Sequence, residues 1–298
     1  MPRVESSDTL FHFMQQHFTG RSRNNLKGLL SRGQILVDGK PVTQFDHPLA
    51  PGQAVEILKE APAPRRKMPF PIVYEDEYLI VINKPAGLLS VSTDAEKDKT
   101  AYHLLTAAMY GDLEKANKYT TRRPSGRLFV VHRLDRETSG LLIFAKSEDI
   151  KDALQSNWNE SVSRRGYYAL VEGQVPNEKG RMHSWLKQNQ ALVMYSSKTP
   201  GNGQEAITDY QVIRRSKDFS LLEVLLSTGR KNQIRVHMKD LGHPVTGDKK
   251  YGAQRDPIKR MGLHAFALTF KHPVTGESLA LETPCPAEFE RMSDEKRR

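Results

Sequence analysis

A single carboxylate between two arginines is the strongest chemical signal in this chain of 298 residues. Asp135 lies between Arg133 and Arg136, in a polar segment flanked by the apolar runs 128–131 and 141–145. Such runs predict strands, so the acid would be held at a strand end. Nearby cations favour the ionised form of a carboxylate, which suits a nucleophile or a base. A surface aspartate in an ion-pair cluster is the alternative interpretation.

The segment 227–237 could bring a guanidinium to that acid. A glycine turn leads into a predicted helix over 232–241, with Arg230 just before it and Ile234 on its apolar face. Arg235 lies beside that face, where it could enter a cleft and hold a carboxylate through two hydrogen bonds. Pairing with phosphate or at the surface is an equally good interpretation.

Two adjacent tyrosines follow Arg165 and Gly166 in a predicted strand over 167–171. Side chains alternate across a strand, so Tyr167 and Tyr168 should face opposite sides. We expect one in the core, while the other could stack on a base or exchange a proton.

The charge balance favours a polyanionic partner. The chain has 45 Lys and Arg against 35 Asp and Glu, a formal net charge of +10. Such an excess promotes binding to nucleic acid through release of counterions. A second predicted helix near the N-terminus carries four cations without an intervening acid, which form either a phosphate-binding face or a solvated one: Arg21, Arg23, Lys27 and Arg32.

Several other classes of protein are disfavoured. The single cysteine, Cys285, excludes a disulfide within the chain and a cysteine-built zinc site. No apolar run reaches the roughly 20 residues of a membrane span, and the N-terminus lacks a signal-peptide pattern, so we expect a cytoplasmic protein. Glycine-rich segments at 201–206 and 242–247 lack the context of nucleotide-binding loops, and His237 and His243 lack acidic partners. We therefore expect no cofactor and no metal.

The order of predicted elements indicates two domains. We assign residues 1–60 to a small α+β domain, 61–69 to a proline-rich basic linker, 70–290 to a larger domain and 291–298 to a charged tail. Short connections without regular β-α-β alternation favour a mixed or antiparallel sheet with flanking helices. The expected fold class is α+β.

These residues resemble a known family. The segment HRLDRETSGLL around Asp135 is similar to the signature of the RluA-type pseudouridine synthases. Further similar segments occur in the family's order at 74–91, 165–173, 227–252 and 263–273, so the resemblance covers about residues 70–286. Residues 6–60 resemble the small RNA-binding module named after ribosomal small-subunit protein S-four.

The resemblance implies an enzyme that isomerises uridine in RNA without a cofactor. Asp135 would be the catalytic carboxylate, Arg235 its partner, and Tyr167 a tyrosine beside the flipped uracil. Arg133 would take the place of the extruded base in the RNA. His132, Arg136 and Arg230 would assist RNA binding, and Ile234 and Leu263 would form pocket walls, although core packing is an equal alternative for these two. The chain departs from the family at Asn232, where a histidine is usual, and at Arg165, where a lysine is common.

Other functions remain open at this point. A non-catalytic RNA-binding or ribosome-assembly factor would also be basic, and a metal-dependent nuclease would need paired carboxylates near Asp135. Within the family, the N-terminal module favours large-subunit ribosomal RNA as the target, with transfer RNA as the alternative. We expect a monomer.

Overall fold

The computed structural model describes residues 2–59, 68–110 and 126–294, and the chain divides into two compact units, Met1–Lys67 and Met68–Arg298. The expected linker at 61–69 and tail at 291–298 lie in part outside the described residues. Residues 68 and 69 belong to the second unit, where Met68 packs against buried residues. The tail assignment is wrong for residues 291–293, because a final helix with buried Phe289 and Ser293 includes them.

The N-terminal unit is a small α+β structure. Its core contains Leu10, Phe13 and Met14 from the first helix and Leu26 from the second. The chain order is β1 (Asp8–Thr9), α1 (Leu10–His17), α2 (Arg23–Ser31), β2 (Ile35–Val37), β3 (Lys40–Pro41), β4 (Pro48–Leu49) and β5 (Val55–Ile57). Strands β1 and β4 pair, and β3, β2 and β5 form a three-stranded sheet.

Local signals explain two boundaries in this unit. Ser22 begins α2, since its hydroxyl accepts a hydrogen bond from the Asn25 amide at 3.2 Å. Asp38 and Gly39 both have positive φ, 48° and 75°, as the tight turn of a β2–β3 hairpin requires. An Asp-Gly pair is typical of such a two-residue hairpin turn.

An 11-stranded sheet dominates the second unit. Its strands are β6 (Ile72–Glu75), β7 (Leu79–Lys84), β8 (Phe129–Val130), β9 (Ser139–Ala145), β10 (Val162–Glu172), β11 (Lys179–Gln188), β12 (Met194–Ser197), β13 (Gln204–Arg215), β14 (Phe219–Leu226), β15 (Leu263–Lys271) and β16 (Ser278–Glu282). The order is β12-β11-β13-β14-β10-β15-β9-β7-β6, with β16 on β15 and β8 on β9. Among these pairings only β9–β15 is parallel, so the expected mixed sheet is confirmed.

Helices pack on both faces of the central strands. They are α3 (Ala101–Tyr110), α4 (Glu148–Ser156), α5 (Trp158–Ser161), α6 (Gln233–Asp240) and α7 (Ala287–Ser293), with a 3₁₀ turn at Lys249–Tyr251. Leu142 and Phe144 of β9 pack in the cluster that includes α3, whereas Leu141 and Ile143 pack in the cluster that includes α4. Burial on both faces explains why β9 is continuously apolar.

The sequence pattern does not predict β11, β12 and β13. These strands lie toward one edge of the sheet, and most residues of β11 are at least partly exposed. A strand in this position has little apolar alternation to reveal it. In the part of the chain that the structure describes, no helix is both long and apolar enough to cross a membrane.

Candidate active site

The loop that carries Asp135 runs between β8 and β9, and two buried side chains hold its backbone. The Ser90 hydroxyl donates to the Leu134 carbonyl at 2.8 Å and accepts from the Leu134 amide at 3.0 Å. Lys84, fully buried at the end of β7, donates to the Arg136 carbonyl at 3.1 Å. Asp135 therefore sits on a backbone fixed on both sides.

Lys84 also donates to the carbonyls of Pro85 and Leu88, at 3.0 and 2.7 Å. Burial lowers the pKa of Lys84 to about 8, although Glu137 and Asp135 act in the opposite direction. Its three carbonyl contacts make it a cross-link between the turn after β7 and the Asp135 loop.

A glycine allows the loop to reach the opposite wall of the site. Gly140 pairs with Ala265 in the parallel contact of β9 with β15 at a φ of 116°, and a Cβ there would overlap the carbonyl oxygen of Ala265. Arg260 joins the same two strands, donating to the Ser139 hydroxyl at 2.5 Å and to the Leu263 carbonyl at 3.3 Å.

Arg235 lies between two carboxylates. Its Nη1 donates to Oδ2 of Asp135 at 3.0 Å. Its Nε and Nη2 donate to Asp248 at 2.6 and 2.9 Å, a bidentate pair with a side chain only 2% exposed. Burial would lower the pKa of Arg235, but the two carboxylates, Asp248 above all, raise it. The guanidinium is therefore a permanent cation in a fixed orientation.

Asn232 supplies the second contact to Asp135. Its amide nitrogen donates to Oδ2 at 2.6 Å, and its amide oxygen accepts from the Tyr251 hydroxyl at 3.2 Å. The Asn232 backbone is left-handed, with φ 55°, a conformation that asparagine tolerates better than most residues. The ring of Tyr251 lies under Arg235, 4.8 Å from its guanidinium carbon. Asn232, Arg235 and Tyr251 thus form one connected set of contacts around Oδ2 of Asp135.

The other oxygen of Asp135 is free within the described chain. Both protein hydrogen bonds end on Oδ2, and no described residue donates to Oδ1. The side chain is 34% exposed and lines a cavity of about 500 Å³. Tyr167, Ile234 and Leu263 also line this cavity, so the expected wall residues are beside the acid.

Tyr167 and Tyr168 point to opposite sides of β10, as predicted. Tyr168 stacks on Phe266, with ring centroids 3.9 Å apart, whereas Tyr167 lines the cavity. Burial raises the pKa of Tyr167 to about 12; Arg165 opposes this effect and Asp135 adds to it. Tyr167 is therefore a neutral phenol near pH 7, which can donate a proton or a hydrogen bond but is not an ionised base.

The residues expected to bind RNA in the second unit differ in their exposure and in their contacts. Arg133 and Arg136 are exposed at the cavity, but neither pairs with Asp135, contrary to the arrangement expected from their spacing. Arg230 is exposed and donates to the Glu205 carbonyl at 2.9 Å. His132 accepts a hydrogen bond from the Ile143 amide and packs against Trp158.

Burial lowers the pKa of His132 to about 4, with a smaller contribution from Arg165. The ring is neutral near pH 7 and its Nε2 is occupied by a backbone contact. His132 therefore supplies no cation for RNA, and its position indicates a structural contact rather than the expected RNA contact.

All four of the cations predicted to bind RNA in and beside α2 are exposed. In the described ranges, none of them pairs with a carboxylate. Arg21 donates to Asn25 at 3.4 Å and Arg32 to Gln34 at 2.8 Å. The guanidinium carbon of Arg23 lies 5.7 Å from the ring centroid of Phe11. The side chain of Lys27 makes no hydrogen bond or ion pair with a described residue. Their charges are available to an anion.

Sequence reasoning missed Asp248 and Tyr251 as parts of this site. Asp248 is 13 residues beyond Arg235, outside the helix that carries the arginine, so no periodicity links the two. A useful signal would have been an aspartate beside small and apolar residues, in Val245-Thr246-Gly247-Asp248, because a buried acid requires a partner.

The histidines considered as metal ligands have other contacts. His237 is buried and hydrogen-bonded to the hydroxyls of Ser184 and Thr208, both at 2.8 Å. His243 contacts the Glu172 carbonyl at 2.8 Å. Across residues 2–59, 68–110 and 126–294, no three His, Cys, Asp or Glu side chains form a group that could hold a metal ion.

Comparison with known proteins identifies the class to which this fold and site belong. Residues 78–240 match the family described as RNA pseudouridylate synthase. The chain is 30% identical to an uncharacterized RNA pseudouridine synthase, YlyB, of Bacillus subtilis (strain 168), covering 99% of this chain and 96% of that protein. It is 32% identical to ribosomal large subunit pseudouridine synthase D of Vibrio cholerae, covering 93% and 87%.

Among solved structures, human RNA pseudouridylate synthase domain containing 1 matches with a TM-score of 0.55 and 26% identity, over 74% of this chain and 86% of that one. The chain therefore belongs to the RNA pseudouridylate synthase family. It is an isomerase, and its substrate is RNA.

Proposed function

We propose that this enzyme converts specific uridines of structured large-subunit ribosomal RNA to pseudouridine, with Asp135 as its catalytic carboxylate. The observation that carries the assignment of Asp135 is the difference between its two oxygens. Oδ2 is held by Arg235 and Asn232, while Oδ1 is left for a substrate in a cavity of about 500 Å³.

The reaction breaks the N1–C1′ bond of uridine, turns the uracil and joins C5 to C1′. The C5 proton is lost, N1 gains one, and nothing is oxidised or reduced. Asp135 promotes the cleavage, either by attack at a carbon of the sugar or the base, or by removal of the C2′ proton. Arg235 holds the carboxylate in its orientation and offsets its negative charge before either step begins.

The target uridine must first leave its stack, which costs a few kcal/mol. Arg133 is exposed at the cavity with no carboxylate partner in the described chain, and so suits the space that the base vacates. Tyr167 borders the uracil as a neutral phenol. It can receive the C5 proton only while giving up its own, so we assign it a relay rather than a base.

Ribosomal RNA is proposed as the target on two grounds. The Vibrio cholerae and Zymomonas mobilis relatives are named for the large ribosomal subunit. The N-terminal unit has the helix pair and basic residues that led to its resemblance to the S-four module, which we propose as an RNA anchor. Mapping pseudouridine in total RNA with and without the enzyme separates ribosomal from transfer RNA.

The surroundings of Asp135 disfavour a metal-dependent nuclease. Two carboxylates are close together, but the guanidinium of Arg235 contacts both and occupies the place of a shared cation. EDTA should therefore leave activity unchanged.

Replacement of Asp135 tests the proposal directly. Asp135→Asn keeps the shape of the side chain but removes its charge, so release of tritium from C5-labelled uridine RNA should fall to background, with RNA affinity nearly unchanged. Arg235→Lys should also lose most activity, because an ammonium cannot make the same fork of hydrogen bonds. Full product from Asp135→Asn would exclude the catalytic role.

A further inference from the structure

A groove in the N-terminal unit contains an exposed aromatic ring. Phe45 is 63% exposed and borders a cavity of about 320 Å³ that Phe11, Arg23 and Lys27 also line. This volume is at the small end of the range of about 300–1,000 Å³ for ligand sites. The groove suits one flat group rather than a helix.

The backbone around Phe45 is fixed. Its carbonyl accepts a hydrogen bond from the Phe11 amide at 3.0 Å, and the His47 carbonyl accepts one from the Leu10 amide at 2.8 Å. These contacts join the segment to the start of α1. Single exposed apolar side chains are common on protein surfaces, so exposure alone assigns no role to Phe45. What distinguishes this ring is its place on a fixed backbone beside a groove that a second aromatic ring and two cations also line.

Two cations without a carboxylate partner line the same groove as Phe45. Arg23 and Lys27 are four residues apart on α2 and therefore share a face of the helix. Neither pairs with a carboxylate in the described part of the chain, whereas His12, in the same groove, is hydrogen-bonded to Asp8. An exposed aromatic face next to free cations is how proteins bind single-stranded nucleic acid: the base stacks and the backbone meets the charge.

We propose that this groove binds one unpaired nucleotide of the RNA substrate, with its base on Phe45 and its phosphate at Arg23 and Lys27. The inference rests on the proposed function in taking the N-terminal unit as an RNA anchor, and it adds that the anchor requires an unstacked base near the target. Asp46 also lines the groove. Its carboxylate would repel a second phosphate but can accept a hydrogen bond from a base amino group.

Substitutions at Phe45 in the full chain separate stacking from charge. Binding of a short single-stranded oligoadenylate should weaken about tenfold in Phe45→Ala and stay close to wild type in Phe45→Tyr, which keeps an aromatic face. Phe45→Ala should not change the salt dependence of binding, because it removes no cation. Lys27→Gln should reduce the log–log salt slope by about 0.7. Val274→Ala, at another exposed apolar side chain, is the matched control and should bind normally.

A spectroscopic measurement tests the stacking itself. Oligoadenylate should quench the fluorescence of the Phe45→Trp variant more than that of the wild type, whose two tryptophans lie outside the N-terminal unit. Thermal melting should show that each variant is folded, since changing an exposed side chain costs little stability.

Wild-type affinity in Phe45→Ala, equal weakening in Phe45→Tyr, or equally tight binding of polyglutamate would each overturn the inference. The proposed function is tested separately by turnover at saturating RNA, which Val274→Ala should retain and Asp135→Asn should lose. An active Asp135→Asn variant would refute the catalytic proposal while leaving the affinity comparison at Phe45 intact.

Discussion

Asp135 differs from an ordinary surface aspartate in how its contacts are divided between its two oxygens. Arg235 and Asn232 both bind Oδ2, so the carboxylate is oriented without being fully occupied. Arg235 is in turn oriented by Asp248, which is almost completely buried. Asp135 is thus oriented by Arg235, and Arg235 is oriented by Asp248, which does not need to contact the substrate.

Asp248 should therefore matter for turnover more than for binding. We expect Asp248→Asn to reduce kcat at least tenfold and to change KM little, because Arg235 would lose the anion that fixes its orientation. Removing one member of a buried ion pair should also cost about 3 kcal/mol of unfolding free energy. Steady-state kinetics on RNA and urea unfolding measure the two effects.

Asp218→Asn is the matched control for this substitution. Asp218 pairs with Arg255 at 2.9 Å, but both side chains are about half exposed. Its replacement should change stability by less than about 0.5 kcal/mol and leave kcat unaltered. An Asp248→Asn enzyme with wild-type kcat would show that Asp135 and the ring of Tyr251 alone are sufficient to orient Arg235.

At the level of elements, α6 is the part that brings Arg235 to the Asp135 loop. Gln233 and His237 attach this helix to the sheet, since both hydrogen-bond to the hydroxyl of Thr208 on β13. Burial lowers the pKa of His237 to about 4, although Asp240 acts to raise it. The helix is therefore anchored by a histidine that must stay neutral.

This anchor predicts a loss of stability in acid. The pKa of His237 is lower in the folded state than in the unfolded chain, where it is about 6.5. The unfolded state binds the proton first, so unfolding free energy should decrease as the pH falls from about 6.5 to about 4, by at most about 3 kcal/mol from this group. His237→Gln should flatten that part of the profile.

Urea unfolding monitored by tryptophan fluorescence at several pH values provides the measurement, since Trp158 and Trp185 both lie in the second unit. His103→Gln is a suitable control, because the His103 side chain is half-buried and makes no hydrogen bond among the described residues. If His237→Gln and the wild type lose stability in parallel, His237 is not a source of acid sensitivity.

At the scale of the whole molecule, the Lys and Arg side chains that give the net charge of +10 are distributed over both units, and some of them are paired with carboxylates. Arg181, for example, pairs with Asp209 through two hydrogen bonds of 2.6 and 2.9 Å. Arg21, Arg23, Lys27 and Arg32 have no such partners in the described chain. Free cations release more counterions from RNA than paired ones.

Replacing these four residues together by glutamine should therefore reduce the salt dependence of RNA binding. The slope of log affinity against log salt should become smaller by about 3, while kcat at saturating RNA remains unchanged. Arg181→Gln should alter the slope by less than one. An unchanged slope in the fourfold variant would mean that these four residues do not contact RNA.

Much of the architecture could be predicted from local patterns. The helix over 232–241 corresponds to α6 at Gln233–Asp240, and the strand over 167–171 lies within β10 at Val162–Glu172. Strand β11 was not predictable in this way, because most of its residues are at least partly exposed and show little apolar alternation. Strand β13 buries alternate residues from Ala206 to Val212, but one of them, Thr208, is polar, which weakens the apolar pattern.

The order of residues along the chain by itself determined the two α+β parts, the acid between apolar strands, the opposed tyrosines and the family. Each of these depends on neighbours in the chain or on motifs that keep their spacing. The tertiary structure alone decided that neither Arg133 nor Arg136 pairs with Asp135, that Asp248 orients Arg235, and that burial lowers the pKa of His132. Such contacts join residues as many as 100 positions apart, and burial, which sets their charge states, exists only once the chain has folded.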